Sequence, residues 1–364
     1  MILMALDHTR DFMTNLRFRP EDLSQATPFL FFTRWITHFC APTFFLLAGV
    51  GASLAMSRGK SKRQISRFLL TRGLWLVFLE LTVLHFAWQF DMRFPQILIV
   101  IWALGWSMVV LSALVYLPRK TILAISLATI VLHNLLDGIN PESLGGFGPL
   151  WHLLHAPGLV SQNPLIIVGY PLIPWFAVMS LGFAMGDIFS WEASRRRRVL
   201  LQAGTAAIVL FVVLRFINFY GDPNHWSHQR SFGLTLSSFG NTTKYPPSLI
   251  YLLMTLGPTF IALALFENAR GAVSRIVSVY GRVPMFYYTL HLFLIHILAY
   301  ALAVYQGGSG SFINLDTANF PKWYGIGLPG VYLAWAIVVI LLYLPCRWYA
   351  RLKSRRIDWW LSYL

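Results

Sequence analysis

Charged residues are scarce in this sequence. Asp, Glu, Lys and Arg together make up 12% of its 364 residues, against about 25% in an average soluble domain. The mean hydropathy is +0.60, and 57% of the residues are hydrophobic. These values exclude an ordinary soluble globular protein and an intrinsically disordered chain. The class that they favour is a polytopic membrane protein.

Cysteine is also scarce, since the chain has only Cys40 and Cys346, one towards each end. Two cysteines so far apart give no disulfide framework, no zinc pattern and no redox pair of the CxxC type. The sequence has no GxSxG elbow, phosphate-binding loop, dinucleotide fingerprint or HExxH motif, which argues against an activated-serine hydrolase and an ATPase. We predict no metal site.

Long apolar stretches dominate what is present. A helix that crosses a bilayer needs roughly 20 apolar residues. Nine stretches meet this requirement, and residues 1–8 resemble the last two turns of a further span. We therefore predict an all-α, polytopic transmembrane bundle of about 10 spans, including a truncated first span, in one domain over residues 1–364. The nine predicted spans are 35–56, 68–89, 95–116, 120–137, 171–190, 199–219, 247–266, 283–305 and 328–349.

Basic residues alternate with these spans and predict the orientation. Of the 29 Lys and Arg residues, 20 lie in or beside every second loop. The positive-inside rule places those loops in the cytoplasm, together with a C-terminal tail from about residue 347. The net charge of +15 is thus explained by topology and not by nucleic acid binding. The loops in question are 57–67, 117–120, 191–198, 267–282 and 347–358.

Polar and charged residues cluster first in the segment Asp7-His8-Thr9-Arg10-Asp11, where the first helix leaves the membrane. Asp7 and Asp11 are four residues apart and share one helix face. A carboxylate at membrane depth is costly without a partner, and a carboxylate beside a histidine can orient the ring and raise its basicity. The alternative is a helix end with solvated charges.

A second cluster begins at Arg34 and includes His38, which stands four residues before Pro42. A proline inside a helix leaves the carbonyl four residues earlier without its helical partner. A histidine beside such a carbonyl makes a polar niche at the mouth of a helix. The alternative is an ordinary belt of Trp and His at the membrane interface.

The third cluster lies in the predicted span 283–305, which carries His291 and His296. If the helix begins near Pro284, the rise of ~1.5 Å per residue places His291 about 10–12 Å inside the membrane. A histidine at that depth faces a polar cavity or a partner helix. For His296, five residues further along, we predict a structural hydrogen bond between helices. Glu80 near mid-membrane needs a partner or a proton, and its candidate partners are Arg72 and a residue on another helix.

Three segments carry a family resemblance. MILMALDHTRDFM at the start, RWITHFCAPTFFLLAGVGASL from Arg34 and GRVPMFYYTLHLFLIH from Gly281 resemble the heparan-α-glucosaminide N-acetyltransferase catalytic-domain family, whose bacterial members are membrane proteins. The resemblance implies an integral protein of the bacterial cytoplasmic membrane. It implies an acyltransferase that moves an acetyl group from cytoplasmic acetyl-CoA to an amine or hydroxyl of a sugar on the other side.

The resemblance also implies roles for the clustered residues. His38 or His8 acts as the general base, Asp7 orients the ring, and His291 binds the acceptor or polarises the thioester. Substrate-binding residues are then Asp11, Arg10 and Arg34. The residues predicted to attract the phosphates of CoA are Arg58, Lys60, Lys62 and Arg63. The alternative is that these basic residues serve topology alone.

Two other function classes stay open. The intramembrane His and Asp groups also suit a transporter of a small polar solute with proton coupling, although two related halves with broken helices are not evident. A membrane scaffold without enzymatic activity is the third class. As partners we predict the lipid bilayer and a sugar or glycan acceptor, with no nucleic acid, and we leave homodimerisation open.

The alternation of basic loops gives a testable topology. In intact cells, with the two native cysteines replaced, a membrane-impermeant thiol reagent should label Gly145→Cys and Arg230→Cys from outside. It should label Lys62→Cys and Arg196→Cys only after the cells are permeabilised, because basic loops stay on the cytoplasmic side. Labelling of Lys62→Cys in intact cells would contradict the topology.

Overall fold

Helices account for most of the structure, which is a computed structural model. The residues that it describes are 1–313, 320–356, 358, 361 and 363. Among them are fifteen α-helices. In chain order these are α1 (Ile2–Met13), α2 (Pro28–Trp35), α3 (Cys40–Ser57), α4 (Lys62–Leu79), α5 (His85–Gln89), α6 (Val100–Leu114), α7 (Arg119–Leu132), α8 (Gly148–Leu154), α9 (Trp175–Met185), α10 (Ala193–Ile217), α11 (Phe232–Gly240), α12 (Leu249–Phe266), α13 (Ala272–Arg282), α14 (Pro284–Tyr305) and α15 (Leu328–Arg355).

In the part of the chain that the structure describes, three short strands form one small sheet. They are β1 (Gln96–Leu98), β2 (Gly158–Gln162) and β3 (Leu165–Val168), in the order β1-β3-β2. Strand β1 runs parallel to β3, and β2 runs antiparallel to it. The predicted all-α class is confirmed, because this sheet is a minor addition to a helical chain.

Within the described residues, seven helical segments are long and apolar enough to cross a membrane, which agrees with seven of the nine predicted spans. Those segments are Pro28–Ser57, Lys62–Gln89, Arg119–Leu136, Ala193–Ile217, Leu249–Phe266, Pro284–Tyr305 and Leu328–Arg355. The other two predicted spans correspond to shorter apolar helices, Val100–Leu114 and Trp175–Ser190. The first of these is short because its apolar run begins as strand β1, which leaves 15 residues for the helix. The exact number of crossings stays a prediction.

The residues group into two compact units. Unit 1 consists of Met1–Cys40, Thr82–Phe94 and Ala269–Leu364, and unit 2 consists of Ala41–Leu81 and Pro95–Asn268. That the whole chain folds as one domain stays a prediction.

Helix α1 is the buried element of unit 1. It continues to Met13, beyond the eight residues predicted for it, and packs against α14 and α15. Both of its ends are fixed by side chains from the C-terminal part of the chain. The indole of Trp335 donates to the carbonyl of Ile2 at 2.9 Å, and the hydroxyl of Tyr324 donates to that of Phe12 at 2.7 Å. The polar residues of α1 are therefore held inside the unit.

Close contact between helices characterises unit 2. Gly49 of α3 lies against the backbone of α9, and Gly182 of α9 lies against the backbone of α3. A Cβ atom on Gly49 would lie 1.9 Å from the carbonyl oxygen of Met179, and one on Gly182 would lie 2.0 Å from that of Leu46. Only glycine permits this approach, which is how small residues let membrane helices pack tightly.

Replacing Gly49 with valine should therefore destabilise unit 2. Gly49→Val must push α3 away from α9, whereas Gly51→Val, on the same helix, has nothing within 4 Å of its new Cβ. We expect the first variant to lose about 1–3 kcal/mol or more of unfolding free energy, the usual result of overpacking. Thermal unfolding in detergent measures the difference, and equal midpoints for the two variants would contradict this packing.

Candidate functional site

A pair of buried histidines joins the two ends of the sequence within unit 1. Nδ1 of His8 on α1 lies 2.8 Å from Nε2 of His291 on α14, although 283 positions separate them along the chain. The other ring nitrogen of His291, Nδ1, lies 2.8 Å from the carbonyl oxygen of Tyr287, one turn earlier on α14. The relative exposure is 8% for His8 and 0% for His291.

These contacts determine where the protons lie in the neutral pair. A carbonyl oxygen can only accept, so Nδ1 of His291 carries a hydrogen and donates it to Tyr287. Nε2 of His291 then has a lone pair, which accepts the Nδ1 hydrogen of His8. The lone pair of His8 consequently lies on Nε2. His8 can take up a proton there and still donate to His291, as a general base held by a second group must.

Aromatic side chains surround His8. Trp88 of α5 meets the His8 ring edge-on with a centroid distance of 4.8 Å, and Tyr288 does so at 5.9 Å. The rings of His8 and His291 are nearly parallel at 5.0 Å. This enclosure orients the His8 ring. Trp88 and Tyr288 do not stand out in the sequence, because aromatic residues make up 16% of the chain.

The end of α1 carries a network of ion pairs, called the charge network below, which consists of Asp7, Arg10, Asp11, Glu21 and Arg34. The carboxylate of Asp7 accepts from Arg10, one turn later, at 2.9 Å and from Arg34 of α2. Arg10 also reaches Asp11 at 2.6 Å, and Arg34 reaches Glu21 at 2.9 Å. Three carboxylates thus surround two guanidiniums. The structure brings together all four charged residues that were predicted for the site and adds Glu21 to them.

Glu21 is the member of this network that the sequence did not single out. It lies in the segment between α1 and α2. Burial by itself raises the pKa of the Glu21 carboxyl, but the guanidiniums of Arg34 and Arg10 outweigh it and lower that pKa to about 2. Glu21 is therefore a permanent anion at neutral pH and helps to hold Arg34 in place.

The other two predicted histidines are also buried in unit 1. His38 lies in the short turn Ile36–Phe39 that follows α2, and its charge adds to the lowering of the pKa of Glu21. His38 is therefore close to the charge network, and its role as base stays a prediction. Nδ1 of His296 donates to the carbonyl of Ala87 at 2.9 Å, and its ring stacks on Phe90. That is the structural hydrogen bond predicted for His296.

The residues predicted to attract CoA all belong to unit 2 and are exposed: Arg58, Lys60, Lys62 and Arg63. Lys62 donates to the carbonyl of Tyr116 at 3.1 Å, and Lys60 lies over the ring of Phe68. Their role in binding CoA stays a prediction.

Glu80, also in unit 2, accepts the backbone N–H of Ile99 at 3.2 Å. Arg72, the candidate partner for Glu80, lies over the ring of Phe68. Within the described residues, no three His, Cys, Asp or Glu side chains are grouped so as to hold a metal ion.

Comparison with protein families gives a match to the first part of the chain. The family model described as "Heparan-alpha-glucosaminide N-acetyltransferase, catalytic" matches residues 1–218, more than half of the chain. The matched part contains His8, the whole charge network and His38, and it ends before the helix that carries His291. Neither the curated proteins nor the solved structures gave a match.

The lowered pKa of Glu21 predicts how stability depends on pH. A carboxyl whose folded pKa of about 2 lies below the ordinary value of ~4.3 contributes stability above the ordinary value and loses it as the pH falls towards the folded value. Glu21→Gln should therefore destabilise the protein at pH 7 by about 1.5–3 kcal/mol, the range for hydrogen bonds to charged groups. The deficit should shrink between pH 5 and pH 2.

Unfolding free energies of wild type and variant, measured across that range, test this expectation. The exposed Glu142 provides the control, because Glu142→Gln should change stability little at any pH. A deficit of Glu21→Gln that is the same at pH 7 and pH 3 would contradict the assignment.

Proposed function

This chain belongs to the heparan-α-glucosaminide N-acetyltransferase catalytic family, and on that premise we propose that it is a membrane acetyltransferase. It transfers the acetyl group of acetyl-CoA to an amine or hydroxyl of a sugar. The observation that carries the proposal is the hydrogen bond between His8 and His291. It leaves the basic nitrogen of His8 at Nε2, as proton abstraction from an acceptor requires.

The reaction needs one base and no redox partner. As the acceptor oxygen or nitrogen attacks the carbonyl carbon of the thioester, its proton passes to Nε2 of His8. The carbon–sulfur bond then breaks, and the sulfur takes the proton from His8 and leaves as the CoA thiol. An acetyl ester or amide remains on the sugar, and His8 returns to its starting state.

His291 is a positioning residue in this scheme. It accepts the Nδ1 hydrogen of His8 whether His8 is neutral or protonated, and its own Nδ1 is committed to Tyr287. The hydrogen bond therefore survives the proton transfer and fixes the ring throughout the reaction.

The charge network supplies polar contacts for the sugar. Nη1 of Arg10 is buried and has no hydrogen-bond partner among the described residues, so a donor is available beside Asp7 and Asp11. A hydroxyl-rich acceptor is the kind of molecule that such a donor and these carboxylates bind. Arg34 completes this set of predicted substrate contacts.

The two substrates approach from opposite sides in this proposal. The basic loops, which include the exposed Arg58, Lys60, Lys62 and Arg63, attract the phosphates of CoA at the cytoplasmic side. The acceptor binds from the extracytoplasmic side, where the positive-inside rule places residues 9–34 and therefore the charge network. Sidedness here rests on the distribution of charge along the sequence.

Removing the base gives the most direct test. With the purified protein in lipid nanodiscs, labelled acetyl-CoA and a panel of amino sugars, His8→Ala should lower the transfer rate by about 10²–10⁴, the usual contribution of a general base. His296→Ala, which removes the hydrogen bond to Ala87, should lower the unfolding temperature and change the transfer rate little. If His38→Ala abolishes transfer while His8→Ala does not, the base is His38. If neither variant loses activity, the proposal fails.

The role of His291 has its own signature. His291→Ala should lower the rate and shift the pH dependence of transfer, because His8 loses the acceptor that selects its tautomer. Glutamine offers an amide oxygen that can accept the same hydrogen, so His291→Gln should recover part of the rate and restore the pH profile. Equal activity and identical pH profiles in both variants would mean that His291 contributes only packing.

A further inference from the structure

Four arginines line a groove in unit 1, away from the histidine pair. The groove lies between α13 and the end of α15, and its cavity is about 470 Å³. No carboxylate pairs with any of the four in the part of the chain that the structure describes. The four are Arg275, Arg282, Arg347 and Arg351.

Helical spacing explains why these side chains share one groove. Arg275 and Arg282 are two turns apart on α13, and Arg347 and Arg351 are one turn apart on α15, so each pair lies on one face of its helix. The two helices are joined by Tyr280, which is buried and whose hydroxyl donates to the carbonyl of Val339 at 2.8 Å. The two walls of the groove are thereby held together.

Like charges without counterions repel one another, so an anion bound in the groove would relieve the repulsion among the four guanidiniums. Guanidinium groups bind phosphate oxygens through paired hydrogen bonds. Tyr343 also lines the cavity and offers a neutral hydroxyl, whereas the hydroxyls of Ser278 and Ser354 donate to the carbonyls of Arg275 and Arg351 on their own helices. The chemistry of the groove is therefore that of a phosphate site.

Exposed apolar side chains lie directly beside the arginines. On α13 they are Val273, Ile276 and Val277, with Val273 76% exposed. On α15 they are Leu344 and Trp348, which flank Arg347. The groove thus lies where the surface changes from apolar to basic along a helix that is long and apolar enough to span a membrane. This is the level at which phospholipid headgroups lie, with their acyl chains alongside.

We propose that this groove binds the phosphate headgroup of an anionic phospholipid. The four arginines hold the phosphate, and the apolar residues of α13 and α15 contact the acyl chains. A soluble phosphate ligand would use the arginines but would leave these apolar side chains in contact with water. The proposal does not depend on the acetyltransferase reaction, so it can fail or succeed separately.

Lipid binding to the full-length protein in detergent tests the proposal. The probes are phosphatidylglycerol, phosphatidylcholine, inorganic phosphate and CoA, and the readout is the dissociation constant together with the unfolding temperature. Wild type should bind phosphatidylglycerol and be stabilised by it, with little response to phosphatidylcholine. Arg275→Gln/Arg347→Gln, which removes one charge from each wall, should weaken this binding on the order of 20-fold.

Two further variants make the result specific. Arg197→Gln/Arg198→Gln removes the same charge from exposed positions on α10 and should change binding less than twofold. Arg275→Lys/Arg347→Lys keeps the charge but not the paired hydrogen bonds, so it should fold normally and bind with intermediate strength. An equal loss in the α10 variant would overturn the proposal, because the effect would be one of general surface charge.

The soluble probes separate the two sources of phosphate. If CoA or inorganic phosphate binds the groove as tightly as phosphatidylglycerol, and the groove variant weakens them by the same factor, the site takes a free phosphate and the lipid proposal is overturned. If the groove variant changes only the response to phosphatidylglycerol, the proposal is supported.

Discussion

A guanidinium inside an apolar protein must have hydrogen-bond acceptors around it, and at the start of the chain carboxylates meet this constraint. Arg34 is buried and bridges Asp7 on α1 and Glu21 in the following segment. Breaking either pair would leave a buried charge uncompensated, which costs far more than an exposed ion pair contributes. The end of α1, the segment after it and α2 are therefore fixed relative to one another, and His8 is fixed with them.

Helix α1 separates two chemical environments on a single turn. Asp7 faces two arginines, while His8, the next residue, faces the ring of His291. Consecutive residues in an α-helix point about 100° apart, so the carboxylate and the imidazole have different partners although they are neighbours in sequence. The ring of His8 is oriented by another histidine, and a neutral partner does not hold the proton on His8 as a carboxylate would. In the proposed reaction, His8 can therefore release its proton to the leaving thiol.

The sequence predicts the long helices, because hydropathy and periodicity determine where they lie. Seven of the nine predicted spans agree with long helices, because apolar length alone identifies a spanning segment. The prediction was less accurate for 95–116, where part of the apolar run pairs as strand β1 with β3. Pairing with a distant segment is decided by tertiary contacts, which the local hydropathy of a run does not contain.

In the candidate site, too, the sequence predicts one part and tertiary contacts determine the other. The clusters around Asp7, Arg34 and His291 were found because charged and titratable groups are costly in a membrane and so stand out in an apolar sequence. Glu21 was missed because an acidic residue in a loop is ordinary until its partner is known. The contact between His8 and His291 spans 283 positions, and no local pattern encodes it. What the sequence specifies is the need for polar partners, and only the fold of unit 1 determines which groups satisfy that need.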